Sequence, residues 1–258
     1  MTTAARTAAA TTGTPDRVPM NTLRKTALVA GVIYLITFIS IPTLSLYGPV
    51  RNDPNYILGP GPDTPILIGA VLEVIVALAC IGTAVVLFPV VKRQHEGIAL
   101  GFVGARVLEA ATIFVGVVSL LTVVTLRQSG AGAEALPTGQ ALVAFNNWTF
   151  LLGQSLLPVV NALLLGSLLY RSRLVPRTIP LVGLIGAPLL LTSDLGVLFG
   201  FWPQVSAVTA IGALPIAVWE FSLGVYLVIK GFRPSPITDG MTPVDSRPRT
   251  APSSAWNQ

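Results

Sequence analysis

Six long apolar runs constrain this chain more than any other feature of its sequence. Each is longer than the roughly 20 residues with which an α-helix crosses the hydrocarbon core of a bilayer. A helix also satisfies its backbone hydrogen bonds within its own segment, as a spanning element must. The sequence therefore predicts an all-α, polytopic transmembrane bundle of six helices. The runs cover residues 26–50, 65–91, 98–126, 140–170, 178–201 and 204–229.

Composition supports this fold class and excludes several others. Hydrophobic residues make up 52% of the chain and charged residues 10%, whereas about a quarter of an ordinary soluble domain is charged. The net charge of +5 would suit nucleic acid, but the basic residues cluster at the ends of the apolar runs, so no nucleic-acid partner is predicted. One cysteine and one histidine predict neither a disulfide nor a Cys/His metal site, and no cofactor is expected.

The distribution of basic residues predicts the orientation of the bundle. Apart from Arg51, Arg106 and Arg127, every Lys and Arg lies in or beside the terminal segments or in the second and fourth loops. Cytoplasmic loops of membrane proteins carry an excess of Lys and Arg. We therefore expect a multi-pass protein of the cell membrane, in contact with the lipid bilayer, with both termini cytoplasmic.

Three regions are predicted along the chain. Residues 1–23 are rich in Thr and Ala and form a basic, disordered arm, residues 24–232 form the transmembrane domain, and residues 233–258 form a disordered tail rich in Pro, Ser and Thr. The loop of residues 48–64 contains repeated prolines, so it cannot be helical throughout and is expected to form an ordered cap. Tyr47, at the start of this loop, is predicted to lie at the membrane interface.

Five ionisable residues fall inside the predicted spans. A charge at the centre of a spanning helix costs about 2.5–3.5 kcal/mol on insertion scales, so these side chains should face protein or water. The four acids lie on stripes of Gly and Ala, which let helices approach closely, so they are predicted to point into the bundle. Arg106 is expected to pair with Glu109 at i,i+3 and with Glu220 across the bundle. The five residues are Glu73, Arg106, Glu109, Asp194 and Glu220.

The fourth span adds amide side chains to this set. Asn147, Gln154 and Asn161 are spaced seven residues apart, which places them on one face of a regular helix. Hydrogen bonding between helices is the favoured interpretation of this stripe, and a ligand path is the alternative. Pro158 interrupts the same helix and frees a backbone carbonyl. The candidate ion or substrate site comprises Glu73, Arg106, Glu109, Gln154, Asn161, Asp194 and Glu220.

The excess of acids suggests a function. One arginine cannot neutralise four carboxylates, so the remaining acids must be protonated, hydrated or bound to a cation. A small proton- or cation-linked transporter is therefore one hypothesis. The alternative is a non-transporting interaction or sensory protein whose polar cluster is structural. A cavity that reaches Glu109 or Glu220 would favour the transporter, whereas a sealed core would favour the alternative.

An enzyme is the third and weakest hypothesis. The sequence contains no nucleophile elbow, Walker loop, dinucleotide fingerprint or zinc-protease motif, and no catalytic residue is predicted. Gly196 and Gly200 form a small-xxx-small step, a pattern that serves contacts within or between chains, so oligomerisation stays open.

Several segments resemble one family of uncharacterised bacterial membrane proteins, known as domain of unknown function 4386. They are YGPVRNDPNYI at residues 47–57, LEVIVALACIGTAVVLFPVVKRQHEG at 72–97, GARVLEA at 104–110, SRLVPR at 172–177 and VWEFSLGVYLVIKGFRP at 218–234. The resemblance extends over residues 24–234 and implies a polytopic bacterial inner-membrane protein. The resemblance implies no particular substrate and no particular active residue.

Overall fold

The computed structural model describes residues 22–239, and all regular structure in this part of the chain is helical. Within residues 22–239, six helices are long and apolar enough to cross a membrane, which confirms the predicted all-α bundle. We number these spans α1 to α6. They are α1 (Thr22–Asn52), α2 (Thr64–Val91), α3 (Glu96–Gln128), α4 (Ala133–Ser172), α5 (Thr178–Leu198) and α6 (Ala207–Ile229). With six spans, residues 22 and 239 lie at the same end of the bundle, here called the terminal end, and the opposite end is the far end.

The first span is not a continuous helix. Regular α-helix ends at Ile36 and is followed by a 3-10 turn, Thr37–Ser40, and by two short helical turns, Thr43–Leu46 and Gly48–Asn52. Pro42 lacks the N–H that a continuing helix needs. Hydroxyl side chains along the segment donate to their own backbone, as Thr43 Oγ1 does to the carbonyl of Ser40 at 2.6 Å, and such bonds compete with helical pairing. The far part of α1 is therefore bent.

The fourth span contains a π-helical segment, Phe150–Leu156, immediately before Pro158. A π turn contains one residue more than an α turn, so it rotates the helix that precedes it. The prediction that Asn147 shares a face with Gln154 and Asn161 is wrong for this reason. Asn146 takes the buried position instead, while Asn147 is only half-buried.

The half of the bundle nearest the terminal end is closed. A continuous apolar core fills it, with Leu87, Leu169 and Leu227 among its buried members. The close contact of α1 with α6 depends on glycine, because a Cβ atom at Gly31 would lie 2.6 Å from the carbonyl oxygen of Gly224. This core leaves the far half of the bundle as the more open part.

The loop between α1 and α2 forms the ordered cap expected from its prolines. Tyr56 is buried, and its hydroxyl donates to Asp63 Oδ1 at 2.7 Å. Arg127, at the end of α3, donates from Nε to the same oxygen at 2.7 Å and also forms an ion pair with Asp63 Oδ2. The hydrogen bonds from Arg127 hold the pKa of Asp63 at about 2, below its ordinary value. The cap is thus fastened to the far end of α3.

The ordered chain extends into the segment that the sequence assigns to the tail. The backbone N–H of Arg233 donates to the carbonyl of Leu174 at 2.8 Å, and Ser235 Oγ donates to the carbonyl of Ser172 at 2.6 Å. The second bond satisfies a carbonyl that the end of α4 leaves unpaired. The rest of the predicted tail, and the predicted arm up to residue 21, lie outside the described residues.

Candidate functional site

An ion cluster of Arg106, Glu109 and Glu220 lies at the centre of the bundle. Arg106 Nη1 donates to Glu109 Oε2 at 3.0 Å, and Arg106 Nη2 donates to Glu220 Oε1 at 3.0 Å. Glu109 is one turn along α3 from the arginine, and Glu220 reaches it from α6. The predicted pairing of Arg106 with both acids is confirmed.

Neutral groups surround the arginine and one of its partners. Asn161 Nδ2 donates to Glu109 Oε2 at 2.6 Å, so this carboxylate oxygen accepts two hydrogen bonds. The Arg106 guanidinium lies 3.6 Å from the Cys80 sulfur and 5.1 Å from the centre of the Tyr34 ring. Such contacts offset the large cost of removing a cation from water. Cys80 and Tyr34 were not among the predicted site residues, although Cys80 lies on the small-residue face of α2.

The other two acids contact the π-helical segment of α4, and we call Glu73 and Asp194 the π-segment acids. Glu73 Oε1 accepts a hydrogen bond from Gln154 Nε2 at 3.3 Å, and Asp194 Oδ1 accepts one from Ser155 Oγ at 2.6 Å. Two consecutive residues of α4 thus bond to acids on two different helices, α2 and α5. In the described part of the chain, the second oxygen of each acid is buried without a hydrogen-bond partner.

Arg51 adds a positive charge that the predicted site did not include. The sequence assigns it to a loop, but the structure places it at the end of α1, partly buried, with Nη2 donating to Asn146 Oδ1 at 2.8 Å. It also interacts electrostatically with Glu73. Glu73 therefore has a cationic neighbour, whereas Asp194 interacts with the Ser155 hydroxyl and with no cation among the described residues.

Tyr47 is fully buried within the bundle, and its hydroxyl faces the Glu73 carboxylate. Its depth at the membrane interface stays a prediction. The break in α1 turns this residue inwards, against Gly69 of α2, where a side chain larger than hydrogen would meet the ring. A break of this kind is not visible in the hydropathy of the run, which is why Tyr47 and Arg51 were placed outside the core.

A cavity of about 320 Å³ reaches the ion cluster. Residues of the bent part of α1, such as Ser40, and of the loop before α6, such as Gln204 and Ser206, line it at the far end. Arg106, Glu109 and Glu220 form its deep end. Gln154 and Ser155 line its side, so the cavity also approaches the residues that bind the π-segment acids.

The three members of the ion cluster are not equally exposed to this cavity. The relative exposure of the side chain is 1% for Arg106, 7% for Glu109 and 14% for Glu220. Arg106 is enclosed by its partners, and both carboxylates are more accessible than it is. The carboxylates of the ion cluster therefore expose more of their surface than the guanidinium does.

The structure divides the predicted site into connected groups. Arg106, Glu109, Asn161 and Glu220 form one network, while Gln154 joins Glu73 and Asp194 bonds to Ser155, which the sequence did not single out. Within residues 22–239, no group of three or more His, Cys, Asp or Glu side chains has the arrangement of a metal site.

Comparison with known proteins gives one match. The family model described as "Domain of unknown function (DUF4386)" matches residues 29–231, from within α1 to the residue pair after α6. No curated protein and no solved structure matches the chain.

Proposed function

The chain belongs to the DUF4386 family, a domain of unknown function, and we propose that it is a small proton- or cation-linked membrane transporter. Its substrate site is the cavity above the ion cluster. The observation that carries the proposal is that a space of about 320 Å³ reaches Glu109 and Glu220 inside the bundle. A polar cluster that served packing alone would be sealed by side chains.

The shape of the bundle supports one-sided access to this site. The cavity extends from the far end to the ion cluster, and the apolar core closes the bundle between the cluster and the terminal end. Transporters hold their substrate near the middle of the membrane and expose it to one side at a time. With both termini cytoplasmic, as the basic loops predict, the open side is the outer side.

Asp194 supports the link to a proton or cation. An isolated ionised carboxylate is costly inside a membrane, so this acid is stable when it is protonated or when a cation is bound. Its hydroxyl partner Ser155 also lines the cavity. Occupation of the cavity and the protonation of Asp194 are thereby coupled through one side chain. We assign coupling to Asp194 and substrate contact to Glu220.

Proton flux tests the coupling. Purified protein is reconstituted into liposomes that contain a pH-sensitive dye, and a pH gradient is imposed. We expect flux above that of protein-free liposomes, and we expect Asp194→Asn and Glu109→Gln to abolish it. Glu134→Gln, which changes an exposed acid at the start of α4, is the matched control. Absence of flux in the wild type under every gradient of protons, and of Na⁺ or K⁺ in matched liposomes, would contradict a transporter and favour a sensory or interaction role.

Thiol labelling tests the access route independently of any substrate. A single cysteine is placed at Ala217, which lines the cavity one turn from Glu220, in a Cys80→Ser background. We expect a membrane-impermeant maleimide to label it from one face of oriented vesicles. Val218→Cys is the control, because Val218 is the next residue along α6 and its side chain faces outwards from the bundle. Equal, negligible labelling of both positions would mean that the cavity is closed to water.

A further inference from the structure

We infer that the substrate of this cavity is a small organic cation, an ammonium group carried on an apolar body. This inference rests on the proposed function for the use of the cavity, and it adds the chemical class of the ligand.

Arg106 has no free face for an anion. Nη1 is bonded to Glu109 and Nη2 to Glu220, each at 3.0 Å. Nε is buried and has no hydrogen-bond partner among the described residues, so neither solvent nor a ligand reaches it. A ligand carboxylate or phosphate would have to displace a carboxylate already in place, and it would then leave that carboxylate unpaired in the core.

The carboxylates of the ion cluster remain available to a ligand. Glu220 is the most exposed member of the cluster, and among the described residues only its Oε1 oxygen accepts a hydrogen bond. Among the described residues that line the cavity, Arg106 is the only base and Glu109 and Glu220 are the only acids. One guanidinium against two carboxylates leaves a charge that a monovalent cation would balance.

The wall of the cavity indicates the nature of the rest of the ligand. Apolar side chains form most of the wall, so an inorganic ion would leave much of the space without polar contacts. The ring of Phe38 is among them, and aromatic rings attract organic cations. The Phe150 ring also lines the cavity, but the Arg51 guanidinium already lies 5.5 Å from its centre. The volume is at the lower end of the range for small-molecule pockets, which limits the ligand to a small body. The wall contains Phe38, Ile41, Leu44, Phe150, Leu190 and Ile216.

A matched ligand set tests the charge preference. The probes are n-hexylammonium, 1-hexanol and hexanoate, which share one apolar chain and differ in charge. The measured quantity is the rate at which maleimide labels Ala217→Cys in the Cys80→Ser background, in full-length protein reconstituted into nanodiscs. We expect hexylammonium to slow labelling at concentrations about tenfold or more below those of hexanol, and hexanoate to give no protection. Hexanol is the control for partition of the hexyl group into the lipid of the nanodisc.

Glu220→Gln tests whether the preference for the cation depends on the Glu220 carboxylate. We expect it to weaken protection by hexylammonium about tenfold, to the level of hexanol, because a charge-assisted hydrogen bond is lost. Glu134→Gln changes an exposed acid at the start of α4 that does not line the cavity, and it should leave protection unchanged. Glu220→Asp keeps the charge and is expected to retain a preference for the cation, so it serves if the glutamine variant does not fold.

The inference is overturned if hexanoate protects as well as hexylammonium, or if Glu220→Gln leaves the preference intact. These outcomes differ from failure of the transporter proposal. Preferential protection by hexylammonium without proton flux would retain the ligand class and replace transport by ligand sensing. Proton flux without preference for the cation would retain transport and reject the ligand class.

Discussion

The ion cluster and the Asp194 site differ in the partners of their acids. In the ion cluster, Arg106 lies 3.0 Å from each of two carboxylates, and Asn161 gives one of them a further hydrogen bond. Asp194 is equally buried, but its partner is the neutral hydroxyl of Ser155 at 2.6 Å. Carboxylates from two helices that share one cation hold those helices in register, whereas an acid bonded to a neutral group can gain or lose a proton without breaking an ion pair. The first arrangement suits a fixed site and the second a coupling residue.

Among the variants that test this comparison, removal of the arginine should have the largest effect on the free energy of unfolding. Arg106→Gln leaves Glu109 and Glu220 facing each other in the core, and loss of one partner of a buried ion pair costs about 3–5 kcal/mol. We expect the free energy of unfolding in mixed detergent micelles to fall by that amount.

A triple variant serves as the control for this measurement. Arg106→Gln combined with Glu109→Gln and Glu220→Gln removes the whole ion cluster and should recover part of the lost stability, since neutral replacements of buried ion pairs are often tolerated. If Arg106→Gln alone unfolded like the wild type, the ion cluster would not be a fixed element of the core.

The next largest difference in stability is expected between variants of the two neutral hydrogen-bond donors, Asn161 and Ser155. Asn161→Ala removes a hydrogen-bond donor from Glu109, the acid that also pairs with Arg106, and should cost about 1–3 kcal/mol, as expected for a bond to a member of a buried ion pair. Ser155→Ala at Asp194 should cost about 1 kcal/mol or less, as expected for a bond between neutral groups. Both costs are measured as changes in the free energy of unfolding. Equal costs would mean that the two acids are in the same state of ionisation.

Asp194→Asn should separate stability from coupling. Asparagine has nearly the same shape and is always neutral, so we expect the free energy of unfolding to change by less than about 1 kcal/mol while proton flux is lost. The flux assay and the micelle titration are made on the same preparation. A destabilisation as large as that of Arg106→Gln would show that Asp194 is ionised and structurally required.

The sequence predicted the fold and the ion cluster better than the region around α4. Apolar runs determine the number of spans, because each must cross the same thickness of bilayer, and the i,i+3 spacing places Glu109 beside Arg106 whatever the rest of the bundle does. Asn146 and Asn147 exchanged roles because one extra residue in a π turn rotates a helix, and nothing in the hydropathy of the run marks that turn. Arg51 and Tyr47 moved into the core because α1 bends, which depends on how α1 packs against α2.

The smallest effect is expected in the cap, where the partly buried ion pair of Asp63 and Arg127 at the far end of α3 can be compared with the ion cluster in the core. Asp63 has its pKa held at about 2 by the hydrogen bonds from Arg127, against 3.8 as its ordinary value. An acid whose pKa is lower in the folded state adds stability above its ordinary pKa and loses that contribution as the pH falls through the folded value. The contribution of Asp63 is therefore present near neutral pH and is lost between roughly pH 4 and pH 2.

Asp63→Asn should consequently remove less than about 1 kcal/mol from the free energy of unfolding at neutral pH, as for other pairs near the surface. The difference between wild type and variant should shrink as the pH falls through this window and also as salt is added, because salt screens pairs near the surface and hardly affects buried ones. The loss caused by Arg106→Gln should keep its size in the same salt series. A salt response as strong for the ion cluster as for the cap would mean that water reaches the Arg106 guanidinium, and the distinction between the enclosed cation and the accessible carboxylates would then fail.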